Sequence, residues 1–118
     1  MARDPRQCLP LTPAMFHVLI SIADGPIHGY NILKDVAGRT AGDVQLSTGT
    51  LYGLIKRLLD DEVIVETATP LGEDTRRRCY TLTAFGRQLA EAEADRLERL
   101  VSDARRRRLL GDTRTAEH

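Results

Sequence analysis

Thr48, Gly49, Tyr52, Gly53 and Lys56 recur at helical spacing along one side of the run 47–65, while Leu51, Leu54, Ile55, Leu58 and Leu59 occupy the other. One face is core and the other is left to bind. Small and hydroxylated side chains come first and a cation follows a turn later, as in a helix whose first turns approach a DNA groove closely. Ser47, Thr48 and Thr50 offer hydroxyls for base edges or phosphates, Lys56 a charge for a phosphate, and Tyr52 and Tyr30 a hydroxyl each for the DNA backbone. Other roles exist for these residues: Tyr52 as a core edge with its hydroxyl exposed, Lys56 as a solvated lysine, and Tyr30 as a residue buried under a following hairpin. Gly49 and Gly53 each weaken a helix by about 1 kcal/mol relative to alanine, which is either plain looseness or the condition for close backbone approach.

Cations also gather at 76–78, where Arg76 and Arg78 share a strand face and Arg77 points the other way. At the base of a hairpin their guanidinium groups reach phosphates or a narrow minor groove; their alternative partners are Glu66, Glu73 and Asp74. The run from Arg105 to Arg108 is placed by the dipole at a helix C-terminus and is not counted as a nucleic-acid patch. Cys8 and Cys79 lie far apart, and His17, His28 and His118 have no helical pairing with each other or with a cysteine, so no metal and no cofactor are expected. Cys79 is expected as a half-buried thiol, with oxidant sensing beside Arg78 the less favoured role, and His17 as a satisfied core or interface histidine. No nucleophile–base arrangement, phosphate loop or pair of catalytic carboxylates stands out, and an enzyme is not expected.

The elements that must position these residues follow from periodicity and punctuation. Thr12-Pro13 caps a first helix over 13–23, with Met15, Val18, Leu19 and Ile22 inward and Phe16 and Ile20 on a second apolar stripe. Asp24-Gly25-Pro26 stops it, Ile27-His28 leaves room for a very short strand, and Gly29 opens a second helix to about Thr40. Ser47 caps the third helix; Val63 to Ala68 and Arg76 to Leu82 form a hairpin about a turn at 70–74; Thr83 caps a long fourth helix to about Arg108. In that last helix Ala90, Ala94, Leu97, Val101 and Ala104 make a heptad seam, flanked by Leu89 and Leu100, and with Phe16 and Ile20 they are the predicted homodimer interface.

The predicted fold class is α+β, mainly α: a winged helix-turn-helix with a long C-terminal dimerisation helix. One domain is expected, divided into a winged-helix region over 10–83, a dimerisation helix over 84–108 and a flexible tail over 109–118. At 118 residues, 42% hydrophobic and 29% charged, the chain has the composition of a soluble domain, with no membrane-length apolar run and no signal-peptide start, so a cytoplasmic location is expected. A net charge of zero excludes a nonspecific polycation but not a local basic surface.

Three stretches resemble the PadR family of bacterial transcriptional regulators: Leu11-Thr12 through Gly25-Pro26, His28-Gly29-Tyr30, and Thr50-Leu51-Tyr52 followed by Lys56-Arg57-Leu58. A fourth is Tyr80-Thr81-Leu82-Thr83-Ala84-Phe85-Gly86, where the wing returns into the last helix. The resemblance spans about residues 10 to 105 and implies a dimeric repressor that binds double-stranded DNA and is released by a small-molecule effector of unknown identity. The short helical end is similar to that of the family's compact members. Family members usually carry proline where this chain has Thr48 and Gly53, and often glycine where it has Val63. With no tryptophan in the chain, the resemblance does not extend to the tryptophan sandwich that holds a flat drug in some compact relatives. The competing expectation is a winged-helix module whose third helix binds protein, for which Asp60, Asp61, Glu62 and the neutral net charge speak.

Overall fold

The computed structural model describes residues 3–68 and 78–111. After a short 3-10 turn at Pro5–Cys8, the chain forms α1 (Pro13–Ile22), β1 (Ile27–His28), α2 (Gly29–Arg39), α3 (Thr48–Asp60), β2 (Ile64–Thr67), β3 (Cys79–Leu82) and α4 (Ala84–Arg106). This is the winged helix-turn-helix order. Hydroxyl residues start three of the helices: Thr12 accepts from the Met15 N–H, Ser47 from Thr50 and Thr83 from Gly86. Each such cap stabilises its helix by about 1 kcal/mol.

The three strands form one antiparallel sheet in the order β1-β3-β2. Its register pairs Ile27 with Tyr80 and His28 with Cys79 on one side, and Ile64 with Leu82 through Thr67 with Cys79 on the other. The two-residue β1 therefore fixes the start of α2 against the base of the wing. Under the sheet, Val18, Leu19, Ile22, Ile32, Val36, Leu51, Ile55 and Leu58 close the core where α1, α2 and α3 meet. Full burial of each aliphatic side chain contributes roughly 1.5–3 kcal/mol.

The passage from α3 into the wing is tightly specified. Glu62 takes a left-handed φ of 60°, and the Val63 N–H donates back to the Leu58 carbonyl at 2.9 Å, ending the helix. The Val63 carbonyl then accepts from the Thr83 N–H at 3.0 Å, and the Thr83 hydroxyl donates to the Glu62 carbonyl at 2.7 Å. Gly86 lies so close beneath this turn that a Cβ there would sit 1.9 Å from the Val63 carbonyl oxygen. That contact gives the Thr83-Ala84-Phe85-Gly86 sequence its physical reason.

Several expectations are corrected. The strand expected from Val63 begins at Ile64, because Val63 belongs to the turn just described. Leu89, assigned to the dimer seam, is 3% exposed and part of the chain's own core, and Ala90 packs partly against that core. The heptad seam enters its own domain at its first turn because α4 starts against Val63. Cys79 is fully buried at 1% exposure, because β3 is the middle strand of the sheet; its Sγ lies 3.2 Å from His28 Nδ1. Such a thiol is shielded from an oxidant, which removes the sensing role considered for it.

A buried carboxylate was not anticipated. Glu93 on α4, 2% exposed, accepts from Arg96 at 2.7 and 2.9 Å and from the Leu11 N–H at 3.2 Å, and so ties the N-terminal arm to α4. The Arg96 guanidinium, helped by the Leu11 N–H and opposed by burial, holds its pKa below the ordinary glutamate value. Among the described residues no helix is long and apolar enough to cross a membrane.

Candidate nucleic-acid interface

α3 presents the two faces expected of it. Leu51, Ile55 and Leu58 are buried, whereas Ser47, Thr48, Gly49, Thr50, Tyr52, Gly53 and Lys56 are exposed. Around Gly49 and Gly53 the space is open: a Cβ at either position would meet nothing within 4 Å. The fold itself therefore makes no demand for glycine at these two positions. Ser47 and Thr50 share their hydroxyls, with Ser47 Oγ 2.9 Å from Thr50 Oγ1 and accepting from the Thr50 N–H, so Thr48 has the less committed hydroxyl of the three.

Tyr52 stands at the edge of the domain, with its hydroxyl packed against α2. The residue is 43% exposed, yet its hydroxyl rests over the start of α2, where a Cβ on Gly29 would lie 2.6 Å from it. Gly29 in the His28-Gly29-Tyr30 run is thus the residue that admits the Tyr52 ring. Tyr30, at 54% exposure, is not buried under the hairpin, and Lys34 stands 5.6 Å from its ring centroid. Lys34 is a cation on the same side of α2 that inspection of the sequence missed; its spacing of four residues from Tyr30 was the available signal.

At the base of the wing Tyr80 is buried, and its hydroxyl pKa is raised by that burial and by the nearby Glu66 and Tyr52, against the pull of Arg78. Tyr80, Glu66, Tyr52 and Arg78 thus lie near one another where α3 meets the wing. Both described cations assigned to the interface are paired: Lys56 with Asp60 at 3.2 Å, and Arg78 with Glu66 at 3.6 Å. All four side chains are largely exposed, and such pairs are worth at most about 1 kcal/mol, so a phosphate can displace either carboxylate. Arg76 and Arg77 lie outside the described residues, as does the turn at 70–74.

The second assigned surface shares no residue with the first. Leu100 is 52% and Val101 42% exposed, Leu97 is half-buried and Ala94 exposed, and with Phe16 of α1 the last three line an open groove of about 680 Å³. Ile20, 39% exposed, and the half-buried Ala104 continue the apolar surface. His17 is engaged elsewhere: Arg39 donates to its carbonyl at 2.9 Å and to Ser21 Oγ at 2.8 Å, and pairs with Asp35. The Ser21 hydroxyl and then Arg39 lower the Asp35 pKa. This network fastens α1 to α2. Among the described residues no group of three potential ligands is placed to hold a metal ion.

A three-helix core, a β2–β3 pair and an exposed, polar face on the third helix define a winged helix-turn-helix domain. The family model of PadR-like transcriptional regulators matches residues 18–92. The chain belongs to the PadR-like family of transcriptional regulators, whose members are not enzymes. A 37.1 kDa protein of transposon TN4556 from Streptomyces fradiae is 39% identical over 90 residues, which cover 74% of this chain and 24% of that protein. The chain therefore spans about a quarter of that relative. Among solved structures, a transcriptional regulator from Clostridium thermocellum superposes with a TM-score of 0.64 at 24% identity, covering 78% of this chain and 89% of its own. PadR of Bacillus subtilis in complex with operator DNA gives 0.59 at 24% identity, covering 75% of this chain and 48% of that one. At these identities the structures establish a shared fold.

Proposed function

We propose that the chain is a homodimeric repressor that recognises an inverted-repeat operator and is released by a small effector. The observation that carries this reading is the outer face of α3: hydroxyls, two glycines with open space above them and a cation one turn on, with nothing in the fold requiring the glycines. Thr48 and Thr50 are assigned to base edges. Ser47, Tyr30, Tyr52, Lys56 and Arg78, and Arg76 beyond the described residues, are assigned to the phosphate backbone. The solved complex of Bacillus subtilis PadR with operator DNA supports the reading by fold. The groove between α1 and α4 is assigned to the second copy, with Phe16, Ile20, Ala94, Leu97, Leu100, Val101 and Ala104 as contacts.

Two-fold symmetry places the two α3 helices on successive major-groove faces, so half-sites should lie about 10 base pairs apart or a multiple of that. The test is to sequence genomic fragments retained by the full chain and footprint them. Protection of paired, inverted half-sites is expected; full-affinity protection of one isolated half-site would contradict the dimeric reading. A second reading, α3 as a protein-docking face, draws on the pairing of Lys56 with Asp60 and Arg78 with Glu66, which neutralises the surface. Fragment retention no better than for random DNA would favour it.

A further inference from the structure

Two of the cations assigned to the DNA backbone are each held by a carboxylate: Lys56 by Asp60 at 3.2 Å and Arg78 by Glu66 at 3.6 Å. Folding gives little reason for either acid. Asp60 is the last residue of α3, where the partial negative charge of a helix C-terminus disfavours a carboxylate. A lysine standing four residues before an acid is also the weaker orientation of such a pair. Glu66 lies in β2, an edge strand, although glutamate is depleted in strands. A charge at an edge discourages pairing with another chain, but that role has no need of Arg78. Both acids belong to the proposed DNA face: Asp60 continues the row of Tyr52 and Lys56 along α3, and Glu66 is in register with Tyr80 at the wing base. Their side chains keep 66% and 47% of their surface open, so both are within reach of any polyanion that docks on Lys56 or Arg78.

We propose that Asp60 and Glu66 are built-in competitors of the DNA backbone, two carboxylates that occupy the phosphate-binding cations and so hold down the chain's affinity for DNA of any sequence. The inference rests on the proposed DNA reading and deepens it. A carboxylate and a phosphate are acceptors of the same charge for the same N–H donors, so docking exchanges one for the other. The displaced carboxylate then stays beside a polyanion, which adds repulsion to the lost pair. An exposed pair of this kind changes an equilibrium constant by at most about fivefold, so each acid limits the affinity without abolishing it. Because phosphates carry no sequence information, the limit falls equally on all sequences and leaves the choice among them to Thr48 and Thr50. The balance of 17 basic against 17 acidic residues in the whole chain fits this arrangement, in which retention on DNA depends on base contacts and not on bulk charge. Affinity kept low in this way lets a modest conformational change release the operator. The opposite role, carboxylates that hold the two cations in position for the phosphates, predicts the opposite sign.

The experiment compares the full chain with Asp60→Asn, Glu66→Gln and the double variant, isosteric changes at exposed positions that remove only charge. Fluorescence anisotropy measures binding to a random-sequence duplex and to a genomic fragment retained by the wild type, at several salt concentrations from about 50 to 200 mM. Each single variant should bind both duplexes about two- to fivefold more tightly, and the double variant about tenfold. The preference for the retained fragment over the random duplex should not change, and the fall of affinity with salt should be at least as steep as in the wild type. Urea midpoints close to that of the wild type are expected, since neither acid contributes much to folding. Unchanged affinity would overturn the proposal, and weaker binding would do so by showing that the carboxylates position the cations. A gain confined to the retained fragment would also overturn it, by placing their action at bases instead of phosphates. If the wild type and the double variant both fail to bind either duplex at the lowest salt, the proposed DNA-binding function itself fails, and this inference falls with it.

Discussion

Gly53 separates what folding needs from what binding needs, because its surroundings would accept a methyl group without contact. Gly53→Ala should raise helix stability by about 1 kcal/mol and the melting temperature by a few degrees. It should at the same time weaken operator binding, since the added carbon stands where the DNA is proposed to approach. A variant that is more stable and binds DNA equally well would show that the glycine is mere looseness. Glu93 is the opposite kind of residue, buried for structure alone. Its folded pKa is depressed, so its stabilisation is complete above the ordinary glutamate pKa and disappears as pH falls through the lowered folded value. Glu93→Gln should cost about 1–3 kcal/mol near neutrality, and the deficit should shrink in acid; denaturant titrations at several pH values check both. A deficit independent of pH would contradict the charge-assisted account of the Glu93–Arg96 contact.

At the scale of elements, the junction of α3, β2 and α4 carries the most specific packing. Gly86→Ala forces a carbon toward the Val63 carbonyl, so it should destabilise by about 1–3 kcal/mol, whereas Gly53→Ala on the same helix-rich scaffold stabilises. Equal stability of Gly86→Ala and the parent in urea would mean that α4 shifts freely away from the wing. This junction also marks what could and could not be read from the sequence. The helices were legible because Thr12, Ser47 and Thr83 stand as caps before periodic apolar runs, and β1 because Gly29 follows only two residues after the Gly25-Pro26 stop. Leu89 was misassigned because helical periodicity reports a stripe and not its partner: the same seam is covered by the chain's own core at Leu89 and left open from Ala94 onward. Cys79 was misjudged because alternation along a strand is blind to whether that strand lies at the edge or in the middle. Glu93 gave no signal in a helix rich in charges, since its burial depends on an arm more than eighty residues away in sequence, and the same holds for Arg3 over Phe85.

At the scale of the whole molecule, the groove beside α4 and the polar face of α3 lie on separate surfaces, as a dimer with two outward recognition helices requires. Leu97→Asp should leave the domain folded and convert a dimer to a monomer, read by sedimentation velocity at micromolar concentration; a wild type that is already monomeric there would contradict the proposed assembly. The central claim, that the outer face of α3 and the wing base hold DNA phosphates, is tested most directly by operator affinity as a function of salt. The full chain is compared with a Lys56→Ala/Arg78→Ala variant, both side chains being exposed and carrying only weak surface ion pairs. Affinity for the wild type should fall steeply with salt. The variant should bind more weakly to all sequences, with the slope of log affinity against log salt reduced by roughly 0.9 for each phosphate that is no longer neutralised. Equal affinity and an unchanged slope in the two proteins would contradict the assignment of this surface to DNA.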